Sequence, residues 1–138
     1  MAAKDLYHDA VRNALIKDAW NITDDPFKLK IGVRELSVDL GARKLLAAQK
    51  GEQKIAVEIK SFINTSPVFD LEQALGQYIL YRNILEDKEP ERSLYLAIRK
   101  ATYQEIFSEP IGRLVVNKNA LRLLVFSANQ EVIDQWIN

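Results

Sequence analysis

The chain contains no cysteine and a single histidine. Disulfides and thiolate metal centres are therefore excluded, and no zinc-ligand cluster is present. There is no Walker loop, no G-x-S-x-G elbow and no dinucleotide-binding fingerprint. No apolar run approaches the ~18 residues needed to span a bilayer. Met1 is followed by a charged, amphipathic segment rather than an apolar signal core. Together these absences predict a soluble, cytoplasmic protein with no membrane association. An excess of charge is missing too: Lys+Arg number 19 and Asp+Glu 19. An autonomous non-specific nucleic-acid binder usually carries a basic footprint. The neutral balance argues against tight unaided DNA binding and leaves room for a partner that supplies affinity. Arg34, Lys44, Lys50, Lys54 and Lys60 crowd the middle of the sequence, the one stretch from which a local basic patch could form.

What is present suits a globular fold. The 138 residues are 48% hydrophobic and 28% charged, enough to bury a core without staples. Repeats, low-complexity tracts and long linkers are absent, which predicts one domain over residues 1–138.

A first helix is expected over residues 3–19, where Tyr7, Ala10, Val11, Ala14 and Leu15 form one apolar stripe. Turn formers break the chain from Asn21 to Pro26. Phe27 to Ile31 alternates apolar and basic residues, and Gly32 makes a turn. Leu36, Val38 and Leu40 alternate with Ser37 and Asp39, as in one half-buried strand. Leu45 to Ala48 is short, apolar and ambiguous. Ile55, Val57 and Ile59 alternate with Ala56, Glu58 and Lys60 as a second strand. Ser66-Pro67 is a helix start, a capping residue followed by proline in the first turn. That helix is expected to reach Leu85, with Leu71, Ala74, Leu75, Tyr78, Arg82 and Leu85 inward. Ser93 to Ile98 reads as a strand, Lys100 to Phe107 as a short helix, and Pro110 with Gly112 as a turn. Leu121 to Phe126 is the expected last strand, and Glu131 to Trp136 a closing helical turn. This order predicts an α/β (α+β) fold with a central mixed sheet flanked by helices. Tyr78, Tyr95, Phe107 and Phe126 read as core, and Trp20 and Trp136 as packing residues near element ends.

Two strands each place an acid among apolar neighbours. Asp39 stands in VDLGA and Glu58 in VEIKSF. Asp is disfavoured inside strands because its short side chain competes for backbone hydrogen bonds. Glu58 and Lys60 are two apart and point to one face. If the two strands are neighbours, Asp39, Glu58 and Lys60 converge. Two carboxylates supply hard oxygen ligands for Mg²⁺ (or Mn²⁺), which keeps positions for water and a substrate phosphate. A lysine beside such a site can orient or deprotonate the attacking water, and the matching reaction is phosphodiester hydrolysis. On the following helix, Gln73, Gln77 and Tyr81 are spaced by four and form one polar row. Each feature taken alone also describes a solvated strand face or helix flank.

Asp39, Glu58-Ile59-Lys60 and Gln77-Tyr78-Ile79-Leu80-Tyr81 together resemble the D…(D/E)-x-K…Q-x-x-x-Y pattern of the PD-(D/E)XK nucleases, especially their RecB-like branch. The strings KDLYHDAVRNALIKD, VDLGARKLLAA, KIAVEIKSF, DLEQALGQYILYR and EVIDQWIN resemble, over nearly the whole chain, the XisH family of fdxN-element excision controlling factors. That resemblance implies a restriction-endonuclease-like fold. It also implies a part in programmed excision of a DNA element, with a site-specific recombinase and a small XisI-like protein as partners. The implied catalytic residues are Asp39, Glu58, Lys60 and Gln77, with Asp39 and Glu58 on the metal and Gln73, Tyr81 and His8 in support. The alternative is a non-catalytic accessory protein of the same fold that acts through a protein partner.

The sequence departs from the superfamily pattern in two places. Val38 stands where the naming proline precedes the first acid. A first-helix acid that reaches the metal in many relatives has two counterparts here, Asp5 and Asp9. Asp9 lies nearly opposite the apolar stripe, whereas His8 lies at its edge and is better placed to look toward a site. By analogy with enzymes of this fold that cut two strands with two subunits, a homodimer is expected.

Overall fold

The computed structural model describes residues 5–46 and 51–138. Six strands form one mixed sheet in the order β1-β4-β5-β6-β7-β8. These are β1 (Asn21–Asp24), β4 (Leu40–Leu46), β5 (Gly51–Ile59), β6 (Arg92–Arg99), β7 (Leu123–Ser127) and β8 (Val132–Ile137). β5, β6 and β7 run parallel, and the flanking pairs are antiparallel. A separate hairpin, β2 (Phe27–Ile31) with β3 (Arg34–Val38), turns at Gly32, whose φ of 57° suits a residue without Cβ.

The sheet is covered on both faces. Helix α1 (His8–Lys17) lays Ala10, Val11 and Leu15 on one face, against Ile55, Val57, Ile59, Leu124 and Phe126. Helix α2 (Pro67–Lys88) covers the other with Leu71, Ala74, Tyr78 and Leu85, against Ala56, Leu94, Leu96 and Ile98. The β2–β3 hairpin folds onto this second face through Phe27, Leu29 and Val38. Side chains alternate across β5, so even-numbered Ala56 and Glu58 face α2 and odd-numbered residues face α1. Burial on both faces explains why β5 and β6 are so apolar.

The α2 expectation holds at its start. Ser66 Oγ accepts from the Phe69 amide at 3.2 Å, and Pro67 fills the first turn. The helix runs three residues past Leu85. Arg82 is only partly buried and donates to the Asn119 carbonyl, satisfying the end of another helix. Tyr78, Tyr95, Phe107 and Phe126 are buried as expected. Trp20 and Trp136 pack together, with ring centroids 5.7 Å apart.

Several sequence expectations are corrected. The first helix begins at His8 and ends at Lys17, and residues 3 and 4 lie outside the described ones. The Asn21–Pro26 break contains strand β1, a short edge strand with an irregular register against β4. Leu36 to Leu40 is not one strand. The chain kinks at Asp39, so Val38 joins the α2-side core and Leu40 the α1-side core. Lys100–Phe107 divides into α3 (Lys100–Gln104) and a 3-10 turn at Ile106–Ser108. Pro110 and Gly112 open α4 (Pro110–Asn119) instead of forming a turn. Gly112 is there for contact: a Cβ would collide with the Ile106 carbonyl and with Phe107. The stretch from Leu121 yields β7, and Glu131–Trp136 forms edge strand β8 rather than a helical turn. In the ambiguous stretch, Leu45 and Leu46 belong to β4, whereas Ala47 and Ala48 lie outside the described residues. Among the described residues, no helix is long and apolar enough to cross a membrane.

Candidate active site

The kink at Asp39 has a direct consequence. Freed from a regular ladder position, the Asp39 carboxylate accepts a 2.7 Å hydrogen bond from the backbone N–H of Ile59. Ile59 lies between Glu58 and Lys60, so the first acid is clamped to the strand that carries the other two residues. Lys60 continues the parallel pairing, its amide donating to the Ala97 carbonyl at 3.1 Å. The cluster thus sits at the carboxyl end of β5, the end of a parallel strand where α/β proteins place their ligands.

Glu58 points toward α2 and is 6% exposed. Lys60 Nζ lies 3.8 Å from its Oε2. The other carboxylate oxygen, Oε1, is buried without a hydrogen-bond partner. Burial, then the charge of Asp39, push the Glu58 carboxyl from its ordinary 4.5 up to about 9 against the opposing pull of Lys60. Asp39 is also raised by burial, with hydrogen bonds to the Ile59 amide and the Glu58 carboxyl pulling it back down. Two acids held together in a dry site do not readily ionise together. A divalent cation between them would relieve that repulsion.

The helix row leans over this pair. Tyr81 is buried, and its hydroxyl is raised to about 12, first by burial and then by the charges of Glu58 and Asp39. Gln77 buries its Oε1 without a partner. Gln73 is exposed, and with Lys60 it lines a cleft of about 260 Å³. Asp5 lines the same cleft and is close enough for its charge to act on Asp39. Of the two candidate acids, Asp5, which precedes the helix, is therefore the one that faces the cluster. Asp9 is exposed, as its place on the helical wheel predicts. His8 is buried, binds Asp25 Oδ1 through Nε2 at 2.7 Å, and exerts its charge on Asp39.

Among the described residues, no three His, Asp or Glu side chains stand close enough to form a metal-binding group by themselves. Mg²⁺ is commonly held by one or two carboxylates, with water and substrate phosphate completing its shell. Asp39 and Glu58 are the two carboxylates that would hold such an ion, and Glu58 Oε1 is buried without a hydrogen-bond donor.

The mid-sequence lysines do not merge into a basic patch. Lys44 pairs with Asp18 at 3.7 Å, and Lys54 with Glu52 and Glu91 at 3.7 and 3.9 Å. Their strand positions place them on opposite faces of the sheet. Lys50 lies outside the described residues. A wider cleft of about 620 Å³ opens at the other end of the parallel strands, beside Arg82, Arg92 and Arg122. Two of these arginines are already engaged. Arg82 caps α4, and Arg92 binds the Ile55 carbonyl and Glu89.

Sequence reasoning missed five residues that line the cleft: Phe69, Asn64, Asp70, Ser61 and Phe62. The first was within reach, because Phe69 extends the Gln73, Gln77, Tyr81 row by one more step of four. The clasp in which Asn64 donates from its amide N and Nδ2 to Asp70, at 3.1 and 2.6 Å, has no sequence signature.

The XisH protein family model matches residues 1–134. Two solved structures are similar over almost the whole chain. An XisH family protein from Nostoc punctiforme PCC 73102 is 39% identical, with 97% of this chain and 100% of that chain covered and a TM-score of 0.88. An fdxN element excision controlling factor protein from Anabaena variabilis is 40% identical, with 98% of this chain and 100% of that chain covered and a TM-score of 0.87. No curated protein matches the chain.

Proposed function

The chain belongs to the XisH family, and from that premise we propose that it is a PD-(D/E)XK-type, metal-dependent nuclease of restriction-endonuclease-like fold. It would hydrolyse DNA phosphodiesters in support of excision of a DNA element. The observation that carries this reading is the pairing of buried Glu58, one carboxylate oxygen unpartnered, with Asp39 clamped to the next residue and Lys60 at 3.8 Å. A buried acid with an open lone pair costs stability unless something binds there.

In this reading Asp39 and Glu58 hold Mg²⁺ or Mn²⁺. When bound, the metal stabilises charge on the phosphoryl oxygens and lowers the pKa of a coordinated water. Lys60 orients the attacking water and takes up or returns its proton. In this reading Gln77 acts through its amide, whose oxygen is buried without a partner, and Tyr81, which feels the charges of Glu58 and Asp39, supports the pair. His8 and Asp5 set the charge around Asp39. The excision role is drawn from the name of the Anabaena variabilis relative. A site-specific recombinase and an XisI-like protein are its partners in this reading.

The test is nicking or cutting of DNA by the purified protein with Mg²⁺ or Mn²⁺, alone and with its partner. Lys60→Ala should abolish it. Equal behaviour of wild type and Lys60→Ala on supercoiled, linear, branched and single-stranded DNA would overturn the reading. A second reading, a regulatory protein without turnover, is favoured by the zero net charge, which offers no basic footprint for DNA. It predicts partner binding that Lys60→Ala leaves intact, and no cleavage.

A further inference from the structure

We infer that the cleft beside Lys60 takes an unpaired nucleobase stacked on Phe69, so that the substrate is nucleic acid with single-stranded character rather than intact duplex. The inference rests on the nuclease reading and specifies its substrate.

Phe69 lies in the first turn of α2, one step of four before Gln73, and is 50% exposed. An exposed phenylalanine is unremarkable by itself. This one lines the same cleft as Lys60 and Gln73. The cleft's volume of about 260 Å³ falls just below the ~300–1,000 Å³ of sites that enclose a drug-sized molecule. It has room for one planar ring system and not for a double helix.

The walls are built to stay in place. Asn64 is held to Asp70 by two hydrogen bonds, one from its backbone and one from its side chain, so the loop from Lys60 is tied to the start of α2. Both Asp70 oxygens are occupied by this clasp. Phe62 holds a left-handed φ of 52°, a strained backbone for a residue with Cβ, and its ring meets Phe107 edge-on at 5.6 Å. Strain of this kind persists where the surroundings impose it, and it clusters at ligand clamps. Here it turns the chain two residues after Lys60 and leaves Phe62 on the cleft wall.

A pre-formed cleft with an exposed ring on one wall and an amide beside it matches the way proteins hold single-stranded bases. They stack on an aromatic face and tolerate many sequences, because every base has a π-face. A base inside a duplex cannot reach such a ring without leaving its stack. Lys60 links the cleft to the two acids, its Nζ 3.8 Å from Glu58, so in the nuclease reading a base on Phe69 would belong to a nucleotide near the phosphate to be cut.

The test is fluorescence anisotropy with the full chain, in EDTA and again in Ca²⁺, on a labelled oligothymidylate and a duplex of equal length. Wild type should prefer the single strand. Phe69→Ala should weaken single-strand binding by roughly ten-fold, the scale of one base–aromatic stack, and leave duplex binding unchanged. Phe69→Leu should lose as much, and Phe69→Trp should keep the affinity. Circular dichroism of each variant confirms that it is folded. Unchanged binding in Phe69→Ala, wild-type affinity in Phe69→Leu, or equal wild-type affinity for both probes would each overturn the inference. Lys60-dependent cutting of duplex DNA would then leave the nuclease reading standing by itself.

Discussion

The carboxylate of Asp39 accepts a hydrogen bond from the backbone amide of Ile59, the residue between Glu58 and Lys60. That single bond decides the site's geometry. It holds the acid from the β3–β4 junction against the residue flanked by Glu58 and Lys60. It also separates two consequences of changing Asp39. Asp39→Ala removes the acceptor and leaves a buried amide unpaired. A hydrogen bond to a charged group contributes about 1.5–3 kcal/mol, and the loss should fall in that range by urea denaturation. Asp39→Asn keeps a carbonyl oxygen for Ile59 and should retain most of the stability while losing divalent-ion binding. If the two variants are equally destabilised, the bond does not organise the site.

Glu58 predicts how stability depends on pH without metal. Its folded pKa of about 9 lies above the ordinary 4.5. Between those values the folded protein holds a proton that the unfolded chain releases. Its contribution is therefore complete below about pH 4.5 and is lost as pH rises toward about 9. In EDTA, the urea midpoint of wild type should fall between pH 5 and pH 9, and Glu58→Gln should flatten most of the slope. If divalent ions bind the ionised pair, as the nuclease reading requires, the melting-temperature shift they produce should grow over the same interval. A midpoint that rises with pH in EDTA would contradict the assignment.

The most legible parts of the fold were those whose pattern is set by their own neighbours. Strand β5 alternates cleanly because one residue in two meets each core, and α2 announces itself with Ser66-Pro67. The site followed, since Glu58 and Lys60 share a face by periodicity alone. Edge strands β1 and β8 were missed because each is paired on one side only and has mixed exposure. Gly112 misled for a physical reason: glycine serves a turn or a close approach, and only packing tells them apart. The junction at Asp39 was hidden because Leu36, Val38 and Leu40 alternate as one strand would, although Val38 and Leu40 enter opposite cores.

Tyr78 tests whether the sheet and α2 are tied together by a polar contact far from the cluster. Its hydroxyl donates to the Leu94 carbonyl at 2.9 Å and accepts from the Arg122 amide at 3.1 Å, with the side chain fully buried. Tyr78→Phe leaves both backbone groups without that partner. An orphaned buried group costs about 1–3 kcal/mol, so urea denaturation should reveal a loss of at least that size. Divalent-ion binding should be unchanged. A loss below about 0.5 kcal/mol, the size of an ordinary surface substitution, would mean that water replaces the hydroxyl.

Gln77 should separate function from stability in the opposite direction. Its Oε1 is buried without a partner, which is a cost to the folded protein with nothing in the fold to offset it. An unpaired buried polar group carries a desolvation cost that an apolar group of similar shape does not. Gln77→Met should therefore melt at or above the wild-type temperature, by up to about 1 kcal/mol of added stability. If the amide serves the reacting phosphate, the same variant should lose DNA cleavage at least ten-fold while still binding Mn²⁺ through Asp39 and Glu58. Destabilisation together with unchanged cleavage would assign Gln77 to the scaffold. Stabilisation together with loss of cleavage is the mark of a residue kept for chemistry at the expense of folding.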